Sequence, residues 1–276
     1  MPYSSSWDVI EDTDSSQIIL SVDFPAAKRP EASFADLAGR IGSRYRFLQT
    51  RLPAVRDGQQ LTAETYVSPW VEEIRRDRRP VLAVLGHCYG SVYAAAIAEG
   101  VAQWQQMPTI ILFNPRVASI ELLDREFHRE ISSIDSLLSD DEIERSRKIA
   151  MEISESAAGN VGDAAAEMIR AYREFSVVAF ERVGLGGACG DRFIKFFEAC
   201  ISCMSMADRI DPSGAWKRST AIVSCDYLGH RDMNHRANGA GRLIGRRISV
   251  DVEDVDLLRS ASAAQQVLEI LGVAHR

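Results

Sequence analysis

The run Val81-Leu82-Ala83-Val84-Leu85 ends in Gly86-His87-Cys88-Tyr89-Gly90 and passes at once into Ser91-Val92-Tyr93-Ala94-Ala95-Ala96-Ile97-Ala98. Consecutive apolar residues predict a strand buried on both faces, and the small-residue stretch behind it predicts a tightly packed helix. A glycine on each side of Cys88 predicts a turn in which strand and helix approach too closely for a β-carbon. Strand, sharp turn and helix are the setting of a nucleophile elbow, which lifts the middle residue to the top of a sheet at a helix N-terminus. The unpaired N–H groups and the dipole there favour a thiolate. Serine is the usual residue at such a position; this chain has cysteine. A cysteine between glycines is by itself equally well a small buried hydrophobe, and the flanking strand and helix patterns favour the elbow.

Around this stretch the chain alternates. Residues 17–24 read as a buried strand that stops at Pro25-Ala26-Ala27. Phe34, Leu37, Ala38 and Ile41 share one helix face over residues 33–43, with Ser33 as a candidate cap. Residues 45–52 form a second strand. Residues 62–75 form a helix capped by Thr62, which Pro69 should kink or interrupt. Thr109 to Phe113 is the strand after the elbow helix and ends at Asn114-Pro115. Strand and helix in alternation predict an α/β fold with a parallel sheet. Residues 1–16, rich in Ser and Asp, read as an N-terminal arm or an edge strand around Trp7-Asp8-Val9-Ile10.

Residues 118–215 break the rhythm. Helical patterns run over 120–138, 141–156, 161–183 and 191–210, with Gly184 to Gly190 as a flexible connector. A helical stretch inserted between two strands reads as a lid over the site end of the sheet; the alternative is a peripheral subdomain without a gating role. The sheet resumes at 220–225 and 248–252, and a last helix covers 261–271. The domain division is therefore an α/β core over 17–117 and 216–276, with the lid at 118–215.

A net charge of −7 argues against a nucleic-acid surface. No apolar run reaches the length of a membrane span, and Met1 to Ser6 lack an apolar secretory core. Five cysteines without a regular framework suggest reduced thiols and a cytoplasmic location. Cys200-Ile201-Ser202-Cys203 has metal-like spacing but no second ligand pair, so core packing under the lid explains it better than zinc. Gly239-Ala240-Gly241-Arg242-Leu243-Ile244-Gly245 is a poor dinucleotide loop, since no buried strand precedes it and it opens no helix. His87 reads as packing beside the turn. His230 and His235 follow the 220–225 strand and are candidates for a displaced base, as is Asp226 for an acid. Arg236, Arg242, Arg246 and Arg247 form a basic cluster that reads as a solvated face, or as a grip on an acidic helix or a phosphate.

The pattern resembles the α/β-hydrolase thioesterases of nonribosomal peptide and polyketide assembly lines. Gly86-His87-Cys88-Tyr89-Gly90 is similar to their Gly-His-Ser-x-Gly elbow, and Phe24-Pro25-Ala26-Ala27 to their first oxyanion loop. The resemblance implies an α/β-hydrolase fold with an inserted helical lid. It also implies a triad acid at the end of the strand after the elbow helix, where this chain has Asn114, and a histidine before the last helix, where it has Asp254. Serine needs a histidine to act as a nucleophile, and cysteine needs it less. The expectation is therefore thioester exchange through Cys88, as in the aminoacyl shuttle relatives of these thioesterases. Asp254 would hold a substrate ammonium, Asn114 would orient by hydrogen bonding, and the N–H groups of Ala27 and Tyr89 would form the oxyanion hole. The partner would be an acyl or peptidyl carrier protein bringing its own phosphopantetheine arm, with no cofactor on this chain. The alternatives are a hydrolytic releasing or editing thioesterase, with His230 or another base, and a non-catalytic carrier-binding module.

Overall fold

The computed structural model describes residues 6–24, 30–52, 62–229 and 243–272. Strands β1 (Trp7–Glu11), β2 (Ile18–Val22), β3 (Arg46–Thr50), β4 (Val81–His87), β5 (Thr109–Phe113), β6 (Thr220–Val223) and β7 (Arg246–Ser249) form one sheet in the order β1-β3-β2-β4-β5-β6-β7. All pairings from β3 to β7 are parallel, and β1 closes one edge antiparallel to β3. Trp7 is buried there, and its indole N–H donates to the carbonyl of Trp70. Residues 7–11 of the arm are thus a working edge of the sheet.

Strand alternation sends side chains to two cores. Ile18, Leu20, Val22 and Val84 face helices α2 (Ala63–Asp77) and α3 (Gly90–Val101). Ile19, Ala83, Leu85, Ile111 and Phe113 face α1 (Phe34–Ile41) and the last helix. Period-2 alternation on strands that are apolar at nearly every position is what covering both faces requires. Pro69 does not interrupt α2, which runs through it from Ala63 to Asp77. Burial of Tyr66, Trp70 and Ile74 on one face outweighs the hydrogen bond the proline cannot make.

Between β5 and β6 the chain is helical: α4 (Ile120–Ser133), α5 (Asp140–Ser156), α6 (Val161–Arg182), α7 (Ala188–Ala207) and α8 (Ser213–Trp216). The expected 120–138 helix stops at Ser133 and gives way to a short 3-10 turn over 135–137. Helix α7 begins at Ala188, inside the expected Gly184 to Gly190 connector, because Gly190 packs against Phe180 of α6. Tyr93 of α3 donates to the carbonyl of Cys203 in α7, and Trp216 of α8 donates to the carbonyl of Ser91. These two bonds anchor the inserted helices to the elbow helix. A 3-10 turn (Asp254–Arg259) and helix α9 (Ala261–Ile270) end the described chain. Among the described residues, no helix is long and apolar enough to cross a membrane.

The sheet turns its winding direction between β2 and β4, and the carboxyl ends of the parallel strands share one edge. A crevice at that edge is where ligands enter open α/β sheets. The elbow is held there by steric demand. A β-carbon on Gly86 would lie 2.6 Å from Ser91 Cα, and one on Gly90 would lie 2.4 Å from the carbonyl oxygen of Val22. Gly90→Ala should therefore lower stability by about 1–3 kcal/mol through forced separation of β2 and α3. Gly39→Ala, exposed in α1 with nothing within 4 Å of the new carbon, should raise it by about 0.5–1 kcal/mol. Thermal unfolding of the two variants checks the opposite signs.

Candidate active site

Cys88 sits at the apex between β4 and α3 with φ +50°, the left-handed region that a non-glycine residue adopts only under constraint. Its N–H donates to the carbonyl of Phe113 at 3.0 Å, and its own carbonyl accepts from Ser91 and Arg116 N–H groups at 3.2 and 3.1 Å. The strained turn is thus bolted to the end of β5 as well as to its own helix. Tyr89 is the N-cap of α3, where helix geometry leaves first-turn N–H groups without intrahelical partners. This places the Tyr89 amide where an oxyanion donor is expected. Its ring stacks on Phe24 at 5.5 Å.

The strand ends supply the rest. Asn114, 2% exposed, follows β5 with φ +42°, a conformation asparagine tolerates better than most residues. Its amide nitrogen donates to Asp254 Oδ1 at 2.6 Å and to Ser224 Oγ at 2.8 Å, while its oxygen accepts from the Ser224 N–H at 3.0 Å. Asp254 opens the 3-10 turn after β7, and its N–H donates to Asp226 Oδ1 at 3.0 Å. The structure brings Cys88, Asn114 and Asp254, the three positions picked out through the resemblance, to one cavity. The acid and histidine that the resemblance implies are replaced by an amide and a carboxylate. The two positions are joined by a hydrogen bond in which Asn114 donates and Asp254 accepts.

His87 does more than pack beside the turn. Its Nδ1 lies 3.4 Å from Asp23 Oδ1 and its Nε2 3.7 Å from Asp254 Oδ1, so the imidazole stands between two carboxylates. Asp23 closes the run Ile18–Phe24 at the end of β2; that bridge was not foreseen. Burial pushes the Asp254 carboxyl up, but the His87 contact, the Asn114 amide and the Arg116 guanidinium outweigh it and hold the group well below the usual carboxylate range. Asp254 is therefore a fixed anion and a weak base.

The cavity measures about 50 Å³, room for a few water molecules and not for a long acyl chain. Its far wall is charged, with Arg125, Glu126 and Arg129 from α4; Arg129 pairs with Glu126 at 3.1 Å and with Glu31 at 3.0 Å. Cys200 and Met204 of α7 complete it. No sequence pattern marked the α4 charges, which reach the site only through packing of the inserted helices, and Cys200, singled out for its spacing to Cys203 and read as core packing, instead lines the cavity half-buried. Cys203, by contrast, is fully buried.

The sulfur itself departs from expectation. Half-buried Cys88 opens to the cavity, yet protein surrounds it closely enough that burial raises the thiol above its ordinary value. Arg125 and Arg116 pull it down, and Glu126 and Asp254 add to the rise. Desolvation is the largest of these influences, and it opposes the thiolate that the helix N-terminus was expected to favour. Ala27, His230, His235, Arg236 and Arg242 lie outside the described residues. Arg246 and Arg247 fall on exposed β7, with Arg247 5.4 Å from the Tyr227 ring centre. The short Gly245 approach to the Lys217 carbonyl, 2.3 Å for a β-carbon, shows a packing reason for one glycine of that stretch.

No family profile and no curated protein sequence matches this chain. Solved structures do. It superposes with a TM-score of 0.59 at 12% identity on a four-domain nonribosomal peptide synthetase in its holo form bound to AMP and glycine, over 96% of this chain and 20% of that one. The chain thus spans about a fifth of that protein's length. It matches the NocB thioesterase domain in covalent complex with a fluorophosphonate nocardicin G analog with a TM-score of 0.51 at 15% identity, over 93% and 95% of the two chains. The enol-lactonase from Burkholderia xenovorans LB400 gives 0.50 at 14% identity, over 96% and 95%. The fold is that of the α/β-hydrolases.

The lowered Asp254 carboxyl has a consequence for stability. A folded value below the ordinary 3.8 means that its contribution is fully present above about pH 4 and is lost as pH falls further. Asp254→Asn should therefore be less stable than wild type at pH 7, with the gap narrowing below pH 4. Denaturant unfolding at both pH values measures it.

Proposed function

We propose that this protein transfers an acyl group between carrier-bound thiols through a thioester on Cys88. The observation that carries the reading is a cysteine at an elbow apex beside a site whose base position is held by an ionised carboxylate. Thioester exchange conserves protons. The Cys88 sulfur gives its proton to cavity water and attacks the carrier thioester carbonyl. A new S–C bond forms, the pantetheine S–C bond breaks, and the departing thiolate takes up a proton. Transfer to a second carrier reverses the sequence. The oxyanion would be held by the Tyr89 N–H, with Ala27 as the second donor proposed from the resemblance.

Hydrolysis asks more of the site, because water must lose a proton as it attacks. Among the described residues lining the cavity, the imidazole is that of His87, and both of its nitrogens face carboxylates. The fold likeness to a peptide-synthetase structure and a thioesterase domain supports a carrier protein as the partner, which would bring the phosphopantetheine arm. The small cavity favours a small acyl group, and its charged lining favours a polar one.

Incubation with a loaded aminoacyl carrier protein should add the acyl mass to the intact protein and map it to Cys88, and Cys88→Ala should abolish the adduct. A second, unloaded carrier should then receive the group. Rapid release of free acid without delivery to the second carrier would replace transfer by hydrolysis, and no adduct with either would leave a carrier-binding module.

A further inference from the structure

Asp254 is fixed in place without being fully enclosed. The Asn114 amide at 2.6 Å and the His87 ring at 3.7 Å hold one oxygen, yet 35% of the side chain remains exposed. It lines the same small cavity as Cys88. Around the sulfur the charges are of both signs: Arg116 after β5 and Arg125 on α4 are positive, Glu126 on α4 and Asp254 are negative. Asp23 faces His87 from β2, Glu31 is engaged by Arg129, and Cys200 reaches in from α7. An anion in a confined, partly dry space disfavours a second anion beside it, and a cation that covers it removes the penalty.

We propose that Asp254 adds to the confinement that keeps Cys88 a poor nucleophile in the absence of substrate, and that an ammonium on the incoming acyl group makes the sulfur more reactive by pairing with Asp254. The inference deepens the transfer reading and rests on it for its purpose, since it makes an aminoacyl thioester its own activator. The Cys88 proton goes to cavity water, the ammonium keeps its own, and the net charge around the sulfur falls by one negative unit when the ligand seats. Burial raising the Cys88 thiol, with Asp254 among the contributing charges, agrees with this geometry.

The test uses the free protein and no carrier. Iodoacetamide labelling of Cys88, followed by peptide mass spectrometry, is measured against pH. Asp254→Asn should lower the labelling midpoint and speed the reaction at neutral pH, roughly threefold. Methylammonium, an alkylammonium that keeps its proton past about pH 9 as a lysine side chain does, should lower the midpoint in wild type and leave it unmoved in Asp254→Asn, whereas uncharged acetamide at matched ionic strength should do nothing. Arg125→Gln should move the midpoint up, an opposite sign that does not depend on the fate of the Asp254 variant. A midpoint unchanged or raised in Asp254→Asn, or a wild type indifferent to methylammonium, overturns the proposal. If labelling responds as stated but no acyl group is ever trapped on Cys88, the transfer reading fails and the charge switch stands; the reverse pair of results has the reverse meaning.

Discussion

The contact on which this molecule turns is the approach of Gly90 to the carbonyl oxygen of Val22, closer than any β-carbon could survive. It brings the first turn of α3 against the end of β2, and two residues before Gly90, Cys88 takes the left-handed conformation with φ +50°. The hydrogen bond from Cys88 N–H to Phe113 then fixes the apex against β5. Two strands that flank β4 on opposite sides are thereby tied to one residue. Asp23 and Asn114, which end those strands, arrive beside the sulfur as a result. Positions remote in sequence meet because the sheet is parallel and its carboxyl ends lie together.

The elbow was legible because sterics wrote it locally: two glycines, an apolar strand and a small-residue helix within eighteen residues admit few arrangements. Asn114 and Asp254 were reached through the resemblance, which implies functional positions just beyond the strand after the elbow helix and before the last helix. The His87 bridge was not, because it needs partners from the ends of β2 and β7, which no local pattern couples. The wall of Arg125, Glu126 and Arg129 was hidden for the same reason. Those side chains read as the polar part of an amphipathic helix, and only tertiary packing turns them to the cavity. Pro69 misled in the other direction, since propensity describes an isolated helix and α2 is held by buried aromatics.

The three departures from a serine–histidine–acid arrangement are one change in physical terms. A carboxylate at 114 beside a carboxylate at 254 would repel, so an aspartate in the histidine position requires a donor in the acid position, and Asn114 is one. Among the described residues lining the cavity, the imidazole is that of His87, which stands between Asp254 and Asp23, so a serine hydroxyl, whose proton is held far more tightly than a thiol's, would lack a base there. A thiol's ordinary value, about 8.5, lies far below a hydroxyl's, so in the proposed switch a rearrangement of nearby charge worth ~1.4 kcal/mol per pH unit offsets part of the rise that burial causes. On the proposed transfer reading, cysteine, asparagine and aspartate belong together: the donor at 114 holds the anion at 254, and that anion stands beside a nucleophile that depends less on a histidine than serine does.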